Sequence, residues 1–300
     1  MIEEVFTAEQ LRIIPLSRIV DQVKQMVKSA NYTINNDIYE GLNNALQTEV
    51  SPIGISIINQ LKENSTIAIE KKMPICQDTG MTVFFIEVGQ DIYFKNDLYE
   101  NENMKNGTLT EAINEGVRLG YEEGYLRKSI VSDPFIRKNT GDNTPAVIHY
   151  DLVAGNQVRI HFAPKGFGSE NMSRIYMIKP SDGIEGAKKV ILETIDEAGP
   201  NACPPMVVGV GIGGNFEMAA LLSKKALLRP INQRSTLEYV KELEEELIDK
   251  ANQLGIGPQG LGGRTTVLGI NIITHPTHIA GLPVAINISC HATRHSEVLI

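Results

Sequence analysis

Four consecutive side chains with the capacity for chemistry stand in one short stretch of this sequence. Cys76, Gln77, Asp78 and Thr79 offer a soft metal ligand, an amide, a carboxylate and a hydroxyl group. A preceding proline stiffens the backbone and a following glycine permits a sharp turn. Held in a turn between two apolar runs, these groups predict a functional site. The alternative is that Asp78 and Thr79 only hydrogen-bond their own turn, as short polar residues often do.

The other two cysteines favour the functional interpretation. Cys203 is followed by two prolines in a loop, and Cys290 follows an apolar run. A buried structural cysteine usually lies inside an apolar run, whereas each of these stands at a predicted boundary of strand and loop. The spacings are far longer than those of a local zinc or ferredoxin motif, so any shared site must be assembled by folding.

Two kinds of metal centre are compatible with three thiolates. On a four-iron cluster, three thiolates leave one iron without a protein ligand, and that iron can act as a Lewis acid. A tetrahedral zinc site would instead add His278 or His291 as the fourth ligand. The residue types alone leave both possibilities open.

Composition excludes several classes of protein. The net charge of −8 argues against a nucleic-acid-binding protein, which would normally present a basic surface. No run of apolar residues is long enough to predict a membrane span, and the acidic N-terminus predicts no signal peptide. We therefore expect a cytoplasmic protein. In that compartment, three cysteines are not expected to form disulfides.

The first 65 residues are predicted to form a helical layer. Apolar residues recur there with helical spacing, and Thr7, Ser17 and Ser51 are predicted to start helical segments. The predicted helices are residues 7–30, with a capping box at Thr7 and Gln10 and an interruption at Pro15 before a new start at Ser17; residues 36–48; and a third helix capped by Ser51.

Strands and helices alternate from about residue 66 onward, which predicts a mixed α/β body and, with the helical layer, a single domain over residues 1–300. The predicted elements are a strand at Met81–Val88, a helix at residues 107–128, a hairpin of Val147–Val153 and Gln157–Phe162, a helix from Asp182 to Gly199, a strand at Met206–Val210, a helix at Asn215–Leu228, a helix capped by Ser235, and strands at Val267–Ile273 and Leu282–Ile288.

Loops and charge runs supply further candidates. The lysine and glycines of Lys165–Asn171 could cradle an anion, and Arg264 in the glycine-rich loop Ile256–Thr266 could meet one. Gly209–Gly214 has the spacing of a dinucleotide-binding loop, but the acidic residue that such a site needs on the next strand is missing. We therefore interpret these glycines as close packing of a helix on a strand. The run Glu242–Glu246 is interpreted as a solvated helix face.

Several of these stretches, in this order, resemble the iron–sulfur class I fumarase family, and more closely the α subunit of its two-subunit members, of which tartrate dehydratases are near relatives. The resemblance covers about residues 70–300. The stretches that carry it are Cys76–Gly80, Lys165–Asn171, Ala202–Pro205, Gly255–Gly260, and Thr274–His278 with Cys290.

The resemblance implies a [4Fe–4S] cluster on Cys76, Cys203 and Cys290, arranged within the mixed α/β fold. It also implies that Gln77 and Asp78 lie beside the substrate, and Asp78 is this chain's candidate for catalytic acid or base.

The resemblance further implies three substrate contacts outside the first motif. Arg127 matches an arginine that binds a carboxylate, with Lys128 in place of the usual aromatic residue. Gly168 matches a loop whose backbone contacts the substrate, and His278 matches a histidine at a substrate carboxylate. Val147 departs from the pattern, because one-chain members have a glutamine there.

The activity expected from the resemblance is the reversible hydration of fumarate to (S)-malate. The family places further catalytic residues in a following domain, so we expect a separate β subunit and a heterodimer or heterotetramer. Tartrate dehydratase or mesaconase is the alternative within the enzyme class, although α subunits of the tartrate type depart from the Lys165–Asn171 and Thr274–His278 patterns. A non-catalytic iron–sulfur or redox-sensing protein, or a zinc-binding structural protein, is the alternative of another class.

Overall fold

The computed structural model describes residues 11–300, and the chain has the mixed α/β architecture predicted from the sequence. Its residues form two compact units. Unit 1 contains the described residues up to Tyr32, Cys76–Pro164 and His295–Ile300, and unit 2 contains Thr33–Ile75 and Lys165–Arg294. The single domain over residues 1–300, with a helical layer at 1–65 and a body at 66–300, stays a prediction.

The elements follow one another in this order: β1 (Arg12–Pro15), α1 (Leu16–Tyr32), α2 (Asn36–Thr48), α3 (Pro52–Lys71), β2 (Met81–Gly89), β3 (Ile92–Lys95), α4 (Leu109–Glu123), β4 (Val147–Val153), β5 (Val158–Lys165), α5 (Phe167–Glu170), β6 (Arg174–Ile178), α6 (Gly183–Ala198), β7 (Met206–Gly214), α7 (Phe216–Ala226), α8 (Glu238–Gln253), β8 (Val267–Thr277), β9 (Leu282–Ser289) and β10 (Ser296–Leu299). Short 3₁₀ turns lie at Glu102–Met104, Pro180–Asp182, Gly199–Ala202 and Pro258–Gly260.

Unit 1 is built on a four-stranded sheet of order β10-β5-β2-β4. Helices α1 and α4 pack against each other and share one apolar core with this sheet. Phe84 on β2 and Phe162 on β5 are fully buried there, with ring centroids 5.0 Å apart. The apolar run that predicted a buried strand at residues 81–88 is therefore the centre of this unit.

The predicted β-hairpin of β4 and β5 is wrong. β2 lies between these strands, and β4 pairs with β2 in parallel, with Val83 opposite Val147. β2 is buried from Val83 to Ile86, so a central position removes the most apolar surface from water. The alternation of apolar and polar residues in two strands that follow each other in the chain cannot reveal that an earlier strand lies between them in the sheet.

The first helix is confirmed only in part. α1 begins directly after Pro15, and the residues just before it form β1 rather than a helix, pairing in parallel with β3. The predicted interruption at Pro15 and the new helix after it are confirmed, with Ser17 as the second residue of α1. Ser17 bonds Asp97, with its backbone N–H 2.9 Å from Oδ1 and its hydroxyl 2.6 Å from Oδ2. The predicted capping box of Thr7 and Gln10 lies outside the described residues.

Unit 2 contains a second four-stranded sheet, of order β6-β9-β7-β8. β7 pairs in parallel with β8 and antiparallel with β9, and α6 and α8 pack on this sheet. The predicted helices α2 and α3 are confirmed, and the Ser51 side chain accepts a hydrogen bond from the Gly54 N–H as expected of a cap. α3 continues to Lys71, beyond the predicted limit of the helical layer.

The interpretation of Glu242–Glu246 as a solvated face is wrong for Glu244, which is fully buried. Its carboxylate pairs with Arg229 and accepts hydrogen bonds from the backbone N–H groups of Ser235 and Ile272, at 3.0 and 2.8 Å. A buried carboxylate requires such partners. They come from other parts of unit 2, so the pattern of apolar and charged residues within the helix could not indicate them.

The interpretation of the glycines in β7 as close helix packing is confirmed. A Cβ atom at Gly209 would lie 2.1 Å from the Ser223 carbonyl oxygen, and one at Gly211 would lie 2.1 Å from that of Ala219. Both carbonyls belong to α7, so only residues without a side chain allow this helix to approach the strand.

Gly211→Ala is therefore expected to lower the free energy of unfolding by about 3 kcal/mol, because backbone atoms of α7 cannot move aside without disturbing β7. Urea denaturation measures this loss. Gly281→Ala is the control, since its Cβ would meet nothing closer than 3.9 Å. Equal stability of the two variants would contradict this account of the packing.

Within residues 11–300, no helix is both long and apolar enough to cross a membrane.

Candidate active site

In unit 1, the turn that carries Cys76 is organised around its sulfur. The Asp78 N–H donates to Cys76 Sγ at 3.4 Å, and the sulfur lies 3.4 Å from Gln77 Oε1. Asp78 Oδ1 accepts a hydrogen bond from the Gly80 N–H at 3.0 Å. The alternative that Asp78 only hydrogen-bonds its own turn therefore holds for Oδ1 of its carboxylate. An N–H donor directed at the sulfur is compatible with a sulfur that binds a metal.

Thr79 does not bond its own turn. Its hydroxyl donates to the carbonyl oxygen of Arg127 at 2.7 Å, and its side chain is buried. Tyr121, on α4, directs its hydroxyl to the carbonyl oxygens of Thr79 and Gly80, at 2.7 and 2.9 Å. Asn143 also contacts the Gly80 carbonyl, at 3.2 Å. The turn is thus fixed to the segment that carries Arg127.

The prediction that the helix continues to residue 128 is wrong, because the segment that carries Arg127 is not helical. α4 ends at Glu123, and Tyr125 has a φ of 50°, which turns the chain out of the helix. Arg127 follows as an exposed residue and Lys128 is half-buried. Because the backbone of Arg127 is held by Thr79, its guanidinium extends from the same support as Cys76 and Asp78.

In unit 2, the two remaining cysteines stand on segments that touch. Cys203 follows a 3₁₀ turn in the left-handed conformation and is exposed, while Cys290 directly follows β9 and is half-buried. The N–H of His291 donates to the Cys203 carbonyl at 3.3 Å, and His291 Nδ1 lies 3.0 Å from the same oxygen. Burial lowers the pKa of His291, against the opposing effect of its bond to the Cys203 carbonyl.

Gln259 is a neighbour of these cysteines that the sequence did not single out. Its Nε2 lies 2.9 Å from the Pro204 carbonyl oxygen and 3.1 Å from His291 Nδ1. Its backbone N–H also donates to Pro204, at 2.8 Å. The glycine-rich loop therefore braces both cysteine segments, and the only hint in the sequence was that Gln259 lies within the shared motif Gly255–Gly260.

Lys165 is buried and does not present an anion-binding surface as its loop suggested. Its Nζ bonds the carbonyl oxygen of Ile288 and lies 3.5 Å from Glu170 Oε2. Burial lowers the pKa of Lys165 to about 8, although Glu170 and the nearby Cys290 oppose this change. Glu170 also pairs with Lys224, and the two lysines hold the pKa of Glu170 below its usual range despite burial.

The triad of Lys165, Glu170 and Lys224 has two cations and one carboxylate, so in the chain without a bound cluster Lys165→Met is expected to raise the free energy of unfolding at pH 7 by about 1–3 kcal/mol. The folded-state pKa of Lys165 is depressed, so the wild type itself gains stability as pH rises from about 8 toward 10.5. The advantage of the variant should therefore shrink over that range.

Urea denaturation of both proteins at pH 7 and pH 10 measures the change. Glu170→Gln, which leaves two lysines without their carboxylate, should instead destabilise. A loss of stability in Lys165→Met as large as in Glu170→Gln would contradict the excess-charge account.

Gly168 and His278 both lie in exposed or open parts of unit 2. Gly168 is in the short helix α5, and a Cβ there would meet no described heavy atom within 4 Å beyond its chain neighbours. His278 is exposed in the turn between β8 and β9, where its Nδ1 accepts from the Ala280 N–H at 3.1 Å. In the neutral ring this bond places the proton on Nε2, which can then donate to a ligand oxygen.

The predicted site residues fall into two sets. Unit 1 holds Cys76, Gln77, Asp78 and Arg127, and unit 2 holds Cys203, Cys290, Gly168 and His278. In the part of the chain that the structure covers, neither unit by itself groups three His, Cys, Asp or Glu side chains closely enough to bind a metal ion. None of the three cysteines forms a disulfide.

Many classes of enzyme have a mixed α/β fold with thiols and acid/base groups at strand ends. Comparison with known protein families identifies the class to which this chain belongs. Residues 20–299 match the family described as fumarate hydratase (Fumerase), so the chain belongs to this family. The match includes most of α1 and all of α2 and α3, which lie before the motifs that carried the resemblance.

Curated relatives support the same class. A protein of Methanocaldococcus jannaschii named "Putative L(+)-tartrate dehydratase subunit alpha" is 42% identical over 284 residues, which cover 93% of this chain and 96% of the relative. "L(+)-tartrate dehydratase subunit alpha" of Escherichia coli K12 is 33% identical over 298 residues, covering 97% and 93%. The same name and figures apply to a protein of Shigella boydii. This chain is an enzyme of the lyase class, a hydro-lyase, which confirms the enzyme interpretation over a non-catalytic sensor.

Proposed function

We propose that the chain is the α subunit of an iron–sulfur hydro-lyase that reversibly hydrates fumarate to (S)-malate. The observation that supports this most directly is the hydrogen bond from Thr79 to the Arg127 backbone. It joins a sulfur ligand, a carboxylate and a guanidinium group on one supported segment, and these are the groups that a cluster-dependent dicarboxylate site requires.

The cluster proposed here is a [4Fe–4S] cluster on Cys76, Cys203 and Cys290. The cysteines fit it chemically, because none of the three forms a disulfide, none is fully buried, and the Asp78 N–H is directed at Cys76 Sγ, as N–H donors are directed at the sulfurs of such clusters. When bound, such a cluster supplies one iron without a protein ligand, whose Lewis acidity assists the loss or addition of hydroxide.

The chain's own residues would hold the dianion and move the proton. Arg127 would bind one carboxylate through its guanidinium, and His278 would donate from Nε2 to a carboxylate oxygen. The backbone N–H of Gly168 and the amide of Gln77 would fix orientation. Hydration adds a hydroxyl group to one alkene carbon and a proton to the other, and Asp78 is the candidate to give that proton and to take it back in the reverse reaction.

A separate β subunit completes the proposal. The relatives are named as α subunits, and this chain spans almost their whole length. A single exposed arginine does not shield a dianion from water, so a second chain is expected to supply further cationic groups. The assembly would be a heterodimer or heterotetramer in the cytoplasm.

L(+)-tartrate is the second candidate substrate, because the relatives described above bear the name of tartrate dehydratase. Dehydration of tartrate is the same kind of reaction, removal of hydroxide and a proton from neighbouring carbons, and would use the same groups. Mesaconate, a methylated fumarate, is the remaining possibility within this chemistry.

The proposal is tested by anaerobic co-expression of the chain with its partner subunit, followed by parallel assays on fumarate, mesaconate and tartrate. We expect the highest kcat/KM with fumarate. A preference for tartrate would retain the hydro-lyase and replace the substrate. Full activity of this chain alone would refute the need for a β subunit, and a colourless, zinc-containing preparation would refute the cluster.

A further inference from the structure

A loop in unit 1, residues 129–139, exposes two large apolar side chains next to each other. Phe135 is 93% exposed and Ile136 is 82% exposed. Single exposed apolar residues are common on protein surfaces, but an adjacent aromatic and aliphatic pair at the tip of one loop is the kind of anchor that fills a pocket in a partner. The chemistry proposed for the site does not use these side chains.

The tip of the loop is structurally defined. Asp133 Oδ1 accepts hydrogen bonds from the N–H groups of Phe135 and Ile136, at 2.8 and 2.7 Å, and these bonds lower the pKa of Asp133. The Arg137 N–H donates to the Asp133 carbonyl at 2.9 Å. The two apolar side chains are therefore presented on an ordered turn, so little conformational entropy remains to be lost when they are buried.

The base of the loop is closed beside the proposed substrate arginine. Across the base, the Ser132 N–H donates to the Lys138 carbonyl at 2.8 Å and Asn139 Nδ2 donates to the Lys128 carbonyl at 2.9 Å. Lys128 directly follows Arg127, which is exposed. A body that packs on the loop from its tip to its base would thus cover a surface next to Arg127.

The loop and the two residues before it are together basic in a chain that is acidic. From residue 127 to residue 138 there are four basic residues and one acidic residue, whereas the whole chain has a net charge of −8. Lys128, Arg137 and Lys138 flank the apolar pair and form the rim, whereas Arg127 is assigned to the substrate in the proposed function. Complementarity therefore calls for a partner surface with an apolar pocket and an acidic rim.

We infer that this loop is the docking element for the β subunit, with Phe135 and Ile136 as anchors and the flanking cations as the rim. The inference rests on the proposed function, because the partner is the subunit proposed to complete the substrate site. The location beside Arg127 favours this occupant over a membrane surface, since a partner that supplies cations to the dianion must reach that arginine.

The first test replaces Phe135 by serine and measures the dissociation constant of the purified chain for its partner subunit. Loss of a central anchor is expected to weaken binding about 30-fold or more. Tyr99→Ser is the matched control, because this aromatic residue of unit 1 is 79% exposed and lies outside the loop. It should bind like the wild type, and both variants should keep the wild-type melting temperature.

The second test concerns the rim. Arg137→Glu with Lys138→Glu is expected to slow association at low salt and to reduce the dependence of the association rate on ionic strength. Unchanged partner affinity in Phe135→Ser, or unchanged association rates in the double variant, would overturn the inference.

Two further measurements test whether the loop binds something other than the β subunit. Sedimentation velocity of the chain alone tests for a second copy, and vesicles of equal parts phosphatidylcholine and phosphatidylserine test for a membrane. If Phe135→Ser abolishes either interaction while leaving partner affinity intact, the inference is overturned. Binding is measured without substrate, so inactivity of the wild-type pair would refute the proposed function and leave the docking result standing by itself.

Discussion

Cys290→Ser is expected to eliminate both the bound cluster and the hydro-lyase activity. Even residues that only support metal ligands cost about 10- to 100-fold in affinity or activity when mutated, so loss of a ligand should cost at least about 100-fold. Serine is nearly the same size as cysteine, and Cys290 is only half-buried, so the fold should tolerate the change. The expected result is a folded, colourless and inactive protein.

The measurement is iron and sulfide content per chain after anaerobic reconstitution, together with the visible absorption of the cluster and the rate of fumarate hydration. These readouts do not depend on which dicarboxylate is the true substrate. Cys76→Ser and Cys203→Ser should give the same result. Ser289→Ala, at the buried end of β9 directly beside Cys290, is the control and should retain iron and activity.

Retention of activity in Cys290→Ser would contradict the proposed ligand set. Normal cluster content with lost activity would assign Cys290 to the reaction instead of to the metal. A protein that binds one zinc and no iron would support the Cys₃His alternative, in which His278 or His291 is the remaining ligand.

Much of the secondary structure could be predicted because it depends on local chemistry. The apolar run of β2, the proline and serine that start α3, and the glycines of β7 all act within a few residues or through the absence of a side chain. The failures concern partners that are distant in sequence. Nothing in the sequence of β4 or β5 indicates that β2 lies between them. The burial of Glu244 depends on Arg229, which lies outside the helix of Glu244.

The candidate site likewise has features that the sequence could predict and features that it could not. The cysteines could be selected from residue type and position, and the roles of Arg127 and His278 came from family resemblance, where they remain predictions. The hydrogen bonds that hold the segments were not predictable. Thr79 bonds a carbonyl on the segment of Arg127, and Gln259 bonds that of Pro204. A backbone carbonyl is present at every residue, so the sequence carries no mark of which one is used.

Glu49→Gln is expected to lower the free energy of unfolding in a way that depends on pH. Glu49 lies at the end of α2 and is buried, and it accepts hydrogen bonds from four backbone N–H groups. Oε1 receives those of Val50, Ser51 and Arg264, at 2.9, 2.9 and 3.0 Å, and Oε2 receives that of Thr265 at 2.8 Å. One carboxylate therefore joins the linker between α2 and α3 to the glycine-rich loop.

These bonds determine the ionisation of Glu49. Burial alone would raise its pKa, but the N–H donors of Ser51, Arg264 and Thr265 together lower it to about 2 from an ordinary value of 4.5. Because the folded-state pKa is depressed, the stabilisation is fully present above pH 4.5 and is lost as pH falls toward 2. At 1.36 kcal/mol for each pKa unit, the charged form contributes about 3 kcal/mol at pH 7.

Glutamine keeps one acceptor but directs an NH₂ group at N–H donors, so Glu49→Gln should lower the free energy of unfolding by about 3 kcal/mol at pH 7. Urea denaturation at pH 7 and pH 3 measures both the loss and its pH dependence, and at pH 3 the difference from wild type should shrink to about 1 kcal/mol. Glu40→Gln, an exposed change on the same helix, is the control and should stay within about 0.5 kcal/mol of wild type.

A difference between Glu49→Gln and wild type that is the same at both pH values would show that shape, and not charge, is what the site requires. The effect should also reach the cysteines of unit 2. The loop held by Glu49 carries Gln259, which bonds the Pro204 carbonyl immediately after Cys203. Loosening that loop removes a brace from the Cys203 segment, so Glu49→Gln should lose iron faster than Glu40→Gln when both are exposed to a chelator under conditions in which both remain folded.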